Sequence, residues 1–249
     1  MNTDRAIDGT ALDVAVILPT YCEAGNIENL IRMIENLEVN ASILVIDDSS
    51  PDGTGNIVRR LQKDFSNIFL LSRLSKAGLG TAITDGFRFI LSQPNPPNYI
   101  ITMDADYSHD PQEIPRLLQR ASEGYDVVIG SRYCTGGKVK GWSLRRLVIS
   151  KVANKMTAGL IELPINDFTS GFRCYSKEYV QNVLPELHSE TYEIQIETLR
   201  QAHILNANVT EVPIIFTNRK KGKSKLTKNE IFSFLIHVIK TMLKKPKCL

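Results

Sequence analysis

The sequence predicts an α/β protein built on a mostly parallel sheet flanked by helices. Short apolar runs alternate with longer stretches of helical period, the pattern of repeated strand-helix-strand units. The residues that break this alternation gather just after the ends of the apolar runs. No internal repeat or low-complexity linker interrupts the chain, so one large domain is expected.

The elements follow in order. Val14 to Pro19 (VAVILP) reads as the first strand and NIENLIRMIENL as an amphipathic helix after it. SILVIDD reads as the second strand, with NIVRRLQKDF as its helix. NIFLLSR and YIITMD read as the third and fourth strands, separated by a helix that begins near Gly80, and YDVVIGSR reads as a fifth. After these runs come PTYCEAGN, DDSSPDGTG, RLSKAGLG, DADYSHD and GSRY. In open parallel sheets, ligands bind beyond the carboxyl ends of the strands. Turn formers alone would make such loops polar, but acids and arginines recur beside them, which predicts one shared site.

The fourth loop carries the most specific chemistry. Asp104 and Asp106 flank Ala105, and residues two apart on a strand share a face. Both carboxylates can converge on one hard cation, Mg²⁺ or Mn²⁺. Mg²⁺ typically takes one or two carboxylates and completes its shell with phosphate oxygens and water, so a nucleoside diphosphate is the expected ligand. Asp110 before Pro111 reads instead as a helix cap with proline at the first helical position. His109, beside that cap, reads as structural and stays outside the metal site.

In the second loop Asp48 is placed to accept hydrogen bonds from a base or ribose, whereas Asp52 reads as a turn residue. AGLGTA has Ile83 where a third glycine would complete a dinucleotide fingerprint, and no phosphate-binding G-x-x-x-x-G-K-[ST] occurs. A dehydrogenase and a P-loop nucleotidase are thereby disfavoured. Arg132 at the fifth strand end, and Arg145 with Arg146 at a helix start, present planar forks that suit phosphate oxygens.

Composition bounds the rest. With 43% hydrophobic and 23% charged residues over 249 positions, the chain is an ordinary globular one. The net charge of +3 implies no nucleic acid partner by itself, and aromatics do not interleave with the basic run Arg219 to Lys228. That run reads as a mobile loop closing over phosphates. Cys22, Cys134, Cys174 and Cys248 form neither a zinc pattern nor a disulfide scaffold, which points to a reducing, cytoplasmic setting. No apolar run reaches the ~20 residues that span a bilayer. WSLRRLVISKVANKMTAGLI and KNEIFSFLIHVIKTMLKKPK combine apolar helical spacing with basic residues. Core packing would use such a face too, but the basic residues favour helices lying in a membrane interface, bound peripherally on the cytoplasmic side.

With LPTYCEAGNI, VIDDSSPDGTG, KAGLGTA, MDADYSHDP, GSRY, DFTSGFRCYSKE and GKSKL in this order, the chain resembles the polyprenol-phosphate (dolichol-phosphate) mannosyltransferases of glycosyltransferase family 2. The resemblance runs from about Val14 to Leu243 and implies a GT-A-type, Rossmann-like fold. It implies mannose transfer from GDP-mannose to a polyprenyl phosphate with inversion. A transferase using UDP-glucose with the same acceptor, and a nucleotide-sugar-binding regulator without catalysis, are the competing readings. By motif, Pro19, Tyr21, Glu23, Ile46 and Asp48 would hold the nucleoside. Asp104, Ala105 and Asp106 would bind metal and diphosphate, and Arg132, Arg219 and Lys225 phosphates of donor or acceptor. Arg146 and Ser150 would receive the acceptor phosphate, making Asp106, Arg132 and Arg146 the expected catalytic residues. The implied organisation is a tail at 1–13, a catalytic domain at 14–218, and a closing loop with a C-terminal amphipathic helix at 219–249. Small membrane subunits are further partners in some relatives. Two residues depart from the family: Cys22 stands where asparagine is common, and Thr227 where a glycine usually follows SKL.

Overall fold

A computed structural model of the protein describes residues 14–37 and 39–218. The expected N-terminal tail, the basic run with Arg219 and Lys225, and the C-terminal amphipathic helix lie outside the described residues.

Seven strands form one sheet. They are β1 (Val14–Thr20), β2 (Ala41–Asp47), β3 (Ile68–Ser72), β4 (Tyr99–Thr102), β5 (Val127–Ser131), β7 (Arg173–Ser176) and β8 (Val209–Pro213), in the order β3-β2-β1-β4-β7-β5-β8. A separate pair joins β6 (Lys138–Lys140) to β9 (Ile215–Thr217). Parallel pairing holds from β3 to β4 and between β5 and β8, whereas β7 runs antiparallel to both neighbours.

The central strands are apolar along their length because both faces are covered. Val14, Val16, Leu18, Ile43 and Val45 face one way, against Leu30 and Ile34 of α1 (Ile27–Glu35), Val58 and Leu61 of α2 (Thr54–Leu61), and Leu117 of α4 (Ile114–Ser122). Ala15, Ile17, Leu44 and Ile46 face the other way, against Phe87 and Ile90 of α3 (Leu79–Leu91), Val180 of α6 (Lys177–Val183) and Leu199 of α7 (Ile194–Ile204). This is the period-two alternation of a strand meeting helices spaced at three and four.

The remaining helix differs. Along α5 (Leu144–Ala158) only Asn154 and Thr157 are buried, while Leu144, Val148, Ile149, Val152 and Met156 are exposed. Positions 144, 148, 152 and 156 repeat every four residues and make one apolar stripe. Among the described residues, no helix is long and apolar enough to cross a membrane.

The topology explains where the site lies. β1, β2 and β4 end at one sheet edge, and antiparallel β7 starts there, with Thr102 paired to Arg173. The DFTSGF segment before β7 is thereby delivered to the same edge as the loops after the parallel strands.

Candidate active site

The loops after β1 and β2 are stitched together by short polar side chains. Three successive backbone N–H groups, of Cys22, Glu23 and Ala24, donate to Ser50 Oγ, Thr54 Oγ1 and Asp52 Oδ2, each at 2.9 Å. Asp47 accepts from Thr20 Oγ1 at 3.1 Å and from Ser50 Oγ at 2.5 Å. Most hydroxyls and acids of DDSSPDGTG therefore hold loop to loop, and Asp52 keeps its turn role. Cys22 at φ 57°, Ser49 at 52° and Tyr107 at 61° lie in the left-handed region, all in loops at this edge. Such backbone collects at functional sites because surrounding bonds must over-determine it.

These loops enclose a pocket lined by Pro19, Tyr21, Glu23 and Asp48 on one side and Asp104, Ala105 and Asp106 on another. Seven residues picked out in the sequence thus share one cavity. Ile46 does not line it: it is fully buried, packs in the core, and contributes its carbonyl to Thr20 Oγ1 at 3.2 Å. Asp48 is held from behind, accepting from Arg73 Nε at 2.6 Å and from Ala77 N–H at 3.2 Å.

Further lining residues went unread in the sequence. Lys76 also lines the cavity, its ammonium 5.0 Å from the Tyr21 ring centre. Thr191 and Tyr192 arrive from the segment before α7. The glycines of AGLG explain how: a Cβ on Gly80 would stand 2.1 Å from the carbonyl oxygen of Ser189, and Gly80 N–H donates to Glu190 O at 2.9 Å. Those glycines admit a crossing chain segment, which is why no third glycine is needed.

Asp104 and Asp106 are differently set. The Asp104 side chain is 42% exposed and open to the cavity, while Asp106 is buried, with Ser108 N–H donating to its Oδ1 at 3.0 Å. Gly171 lies beside them, the place of its Cβ being in ordinary contact distance of Asp104 Oδ1 at 3.6 Å. Among the described residues, no group of three or more histidine, cysteine or acidic side chains makes a protein-only metal cage. Two hard carboxylates suit a cation that draws its other ligands from a diphosphate. Asp110 caps as expected, accepting from Gln112 N–H at 3.0 Å.

Beyond this pocket, Arg132 and Asp167 form a buried pair. Arg132 Nε and Nη2 donate to the two carboxylate oxygens at 2.7 Å each, its backbone N–H adds a bond at 2.9 Å, and Nη2 also reaches Thr169 Oγ1 at 2.6 Å. Burial alone would raise the Asp167 carboxyl, but the charge and hydrogen bonds of Arg132, with Thr169 N–H, hold it below the usual range. The sequence left Asp167 without a role, although it opens the DFTSGFRCYSKE motif, because its partner Arg132 is 35 residues away and is reached only through the antiparallel entry into β7.

Trp142 joins the remaining arginine to this pair. The guanidinium of Arg146 lies 3.9 Å from the indole ring centre and that of Arg132 at 5.6 Å. Tyr133 Oη donates to Ser150 Oγ at 2.8 Å, so Ser150 stands in the same neighbourhood. Arg145, by contrast, is exposed on α5. A second cavity of about 490 Å³ lies under α5, lined by Arg132, Lys138, Lys151 and Lys155 with apolar Leu147 and Ile165. Arg146 and Ser150 are not among its lining residues, and its link to the acidic cavity runs through Phe216, against which both Arg132 and His109 pack.

The model of "Glycosyl transferase family 2" matches residues 15–184. A polyprenol monophosphomannose synthase of Mycolicibacterium smegmatis is 40% identical over 218 residues, 87% of this chain and 82% of that protein. A dolichol-phosphate mannosyltransferase of Pyrococcus furiosus is 37% identical over 237 residues, and the match spans 93% of this chain but 64% of that longer protein. Among solved structures, the glucosyl-3-phosphoglycerate synthase of Mycobacterium tuberculosis with Mn²⁺, UDP-glucose and phosphoglyceric acid superposes with a TM-score of 0.67 at 20% identity, covering 92% of this chain and 78% of that one. A mannosyltransferase of Pyrobaculum calidifontis with GDP-Man and Mn²⁺ gives 0.66 at 15% identity, covering 98% and 68%. These likenesses establish a GT-A-like fold, a mostly parallel sheet flanked by helices.

Proposed function

We propose that this chain, which belongs to glycosyl transferase family 2, moves mannose from GDP-mannose to a polyprenyl phosphate, giving polyprenyl phosphate mannose with inversion. The observation that carries the reading is the Asp104–Asp106 cavity, linked through His109 and Phe216 to Arg132 of the cation-lined cavity under α5, in a chain similar over 87% of its length to a polyprenol monophosphomannose synthase. The first would hold nucleoside and diphosphate through Pro19, Tyr21, Glu23, Asp48, Asp104, Ala105 and Asp106, with the buried Ile46 supporting from beneath. The lipid phosphate would be received beside the second, on Arg146 and Ser150, which do not line that cavity but contact Trp142 and Tyr133 next to it.

Asp104 and Asp106 would hold Mg²⁺ or Mn²⁺, which when bound supplies positive charge to the leaving diphosphate. Arg132, fixed by Asp167 through Nε and Nη2, would offer Nη1 to a phosphate oxygen and add to that stabilisation. The acceptor phosphate is already anionic near neutral pH, so it needs aim more than a base. Arg146, stiffened by Trp142 and by its bond to Asn218 Oδ1 at 3.3 Å, supplies that aim. Arg219 and Lys225, outside the described residues, would close over the phosphates.

The exposed stripe of α5, with Lys151 and Lys155 beside it, favours peripheral binding to a membrane surface, where the lipid acceptor resides. The cytoplasmic face is the expected side. Small membrane subunits are compatible partners.

The test is transfer of labelled sugar into a short polyprenyl phosphate, with GDP-mannose and UDP-glucose offered in parallel and with either metal. Label in lipid from GDP-mannose, abolished by chelator, is the expected result. Label from UDP-glucose alone would overturn the donor assignment, and GDP-mannose binding without transfer into lipid would point to the non-catalytic reading.

A further inference from the structure

We propose that His109 is a positioning residue for the diphosphate site, setting the geometry of Asp104 through an acceptor on its ring. The proposal rests on the donor-site reading above. His109 is 2% exposed, and its Nδ1 accepts the backbone N–H of Asp104 at 3.1 Å. An accepting Nδ1 carries no proton, so the ring proton sits on Nε2. The ring has little room to turn: it stacks on Phe172 with centres 5.2 Å apart and meets Phe216 edge-on at 5.4 Å.

The consequence follows from chain geometry. β4 ends at Thr102, so Asp104 lies two residues beyond the last residue of the strand. His109 supplies the acceptor for its backbone N–H. It does so five residues downstream, across a loop whose Tyr107 is held in the left-handed region and whose Ser108 N–H is tied to Asp106. One ring thus closes the loop on itself and sets the direction from which the Asp104 carboxylate enters the cavity. Phe216, against which the ring rests, also packs on Trp142 at 5.2 Å. The same stack therefore connects the carboxylate loop to the aromatic between Arg132 and Arg146.

A purely architectural histidine would act through its ring, and a positioning one acts through its acceptor. Phenylalanine keeps the ring and removes the acceptor, whereas asparagine loses the ring and keeps an acceptor, Oδ1, at the place of Nδ1. The experiment is calorimetric titration of GDP with Mn²⁺ into the whole chain, alongside thermal melting without ligand. His109→Phe is expected to weaken GDP–Mn²⁺ binding by about 10- to 100-fold, the range typical when groups that orient metal ligands are removed. His109→Asn is expected to stay within about threefold of wild type despite a lower melting temperature, below the tenfold that ~1.4 kcal/mol would produce. Val183→Ala, a buried change on α6 in the core cluster that does not contain Ala105, controls for lost stability and should bind as wild type. If His109→Phe does not accumulate folded, His109→Ala against His109→Asn gives the same contrast. Wild-type affinity in His109→Phe, or affinity that simply follows melting temperature across the set, would overturn the proposal. Failure of the wild type to bind GDP with Mn²⁺ would overturn the donor-site reading, and this proposal with it.

Discussion

The two sides of the cleft are built differently. On the donor side, the central strands are covered on both faces and the loops after β1 and β2 are bonded to each other at three consecutive backbone positions. On the acceptor side, the helix over the cavity buries two polar residues and turns an apolar stripe outward. The first half is cross-bonded within the described residues, as the proposed recognition of a polar donor requires. The second is amphipathic in the sense that suits a lipid phosphate, with cations inside and hydrocarbon outside. The difference teaches that one sheet edge can present a closely cross-bonded polar pocket while its neighbour turns an apolar stripe outward, the pairing that the proposed lipid acceptor calls for.

The largest effect expected concerns the donor half. Asp106→Ala should lower transfer by about a thousandfold, since a metal supplies several kcal/mol of charge stabilisation. Near-normal turnover under limiting metal would remove Asp106 from that role.

Next comes the hinge between the halves. Asp167→Asn strips Arg132 of its charge partner in a buried site, and breaking one side of such a pair costs about 3 kcal/mol of stability. The fold-lowered carboxyl gives the effect a pH signature. Its contribution is fully present above about pH 4, the ordinary carboxyl range, and is lost as pH falls through the depressed folded value. Acid melts of wild type and Asp167→Asn should therefore converge below that window, and parallel curves would show that the pair is not the cause.

On the acceptor half, Val148→Glu with Val152→Glu should reduce binding to vesicles of anionic phospholipid by about tenfold, because each buried valine contributes ~1.5 kcal/mol or more. Melting temperature in solution should hardly move, since both side chains are exposed. Co-sedimentation and a thermal melt decide the point, and unchanged vesicle binding would give the stripe another partner.

The smallest effect returns to the donor loops. Cys22 occupies the left-handed region at φ 57°, where asparagine is tolerated better than most side chains. Cys22→Asn should raise stability by about 0.5 kcal/mol with transfer unchanged, as asparagine at the corresponding place in the family suggests.

Much of this was legible from sequence because it is local. Apolar runs of strand length became strands, and Asp104 and Asp106, two apart in sequence, line one cavity. What stayed hidden depends on distant chain. Asp167 lies 35 residues from Arg132 and reaches it through an antiparallel strand that breaks the repeating pattern. Tyr192 enters the cavity because two glycines 112 and more positions earlier let its segment cross α3. His109 reads as structural from its place beside a cap, and only the bond to Asp104 reveals which atom matters. Ile46, carried over by motif, is a core residue whose carbonyl supports the edge rather than lining it.

The division of labour between the halves is tested most directly by one pair of readings on Arg146→Ala: calorimetric affinity for GDP with Mn²⁺, and transfer from GDP-mannose into a short polyprenyl phosphate. Unchanged GDP affinity with transfer lowered by about a hundredfold, the loss of ~2.7 kcal/mol of positioning, is the expected result. Loss of GDP affinity in step with transfer would place Arg146 on the donor and contradict the separation of the two cavities.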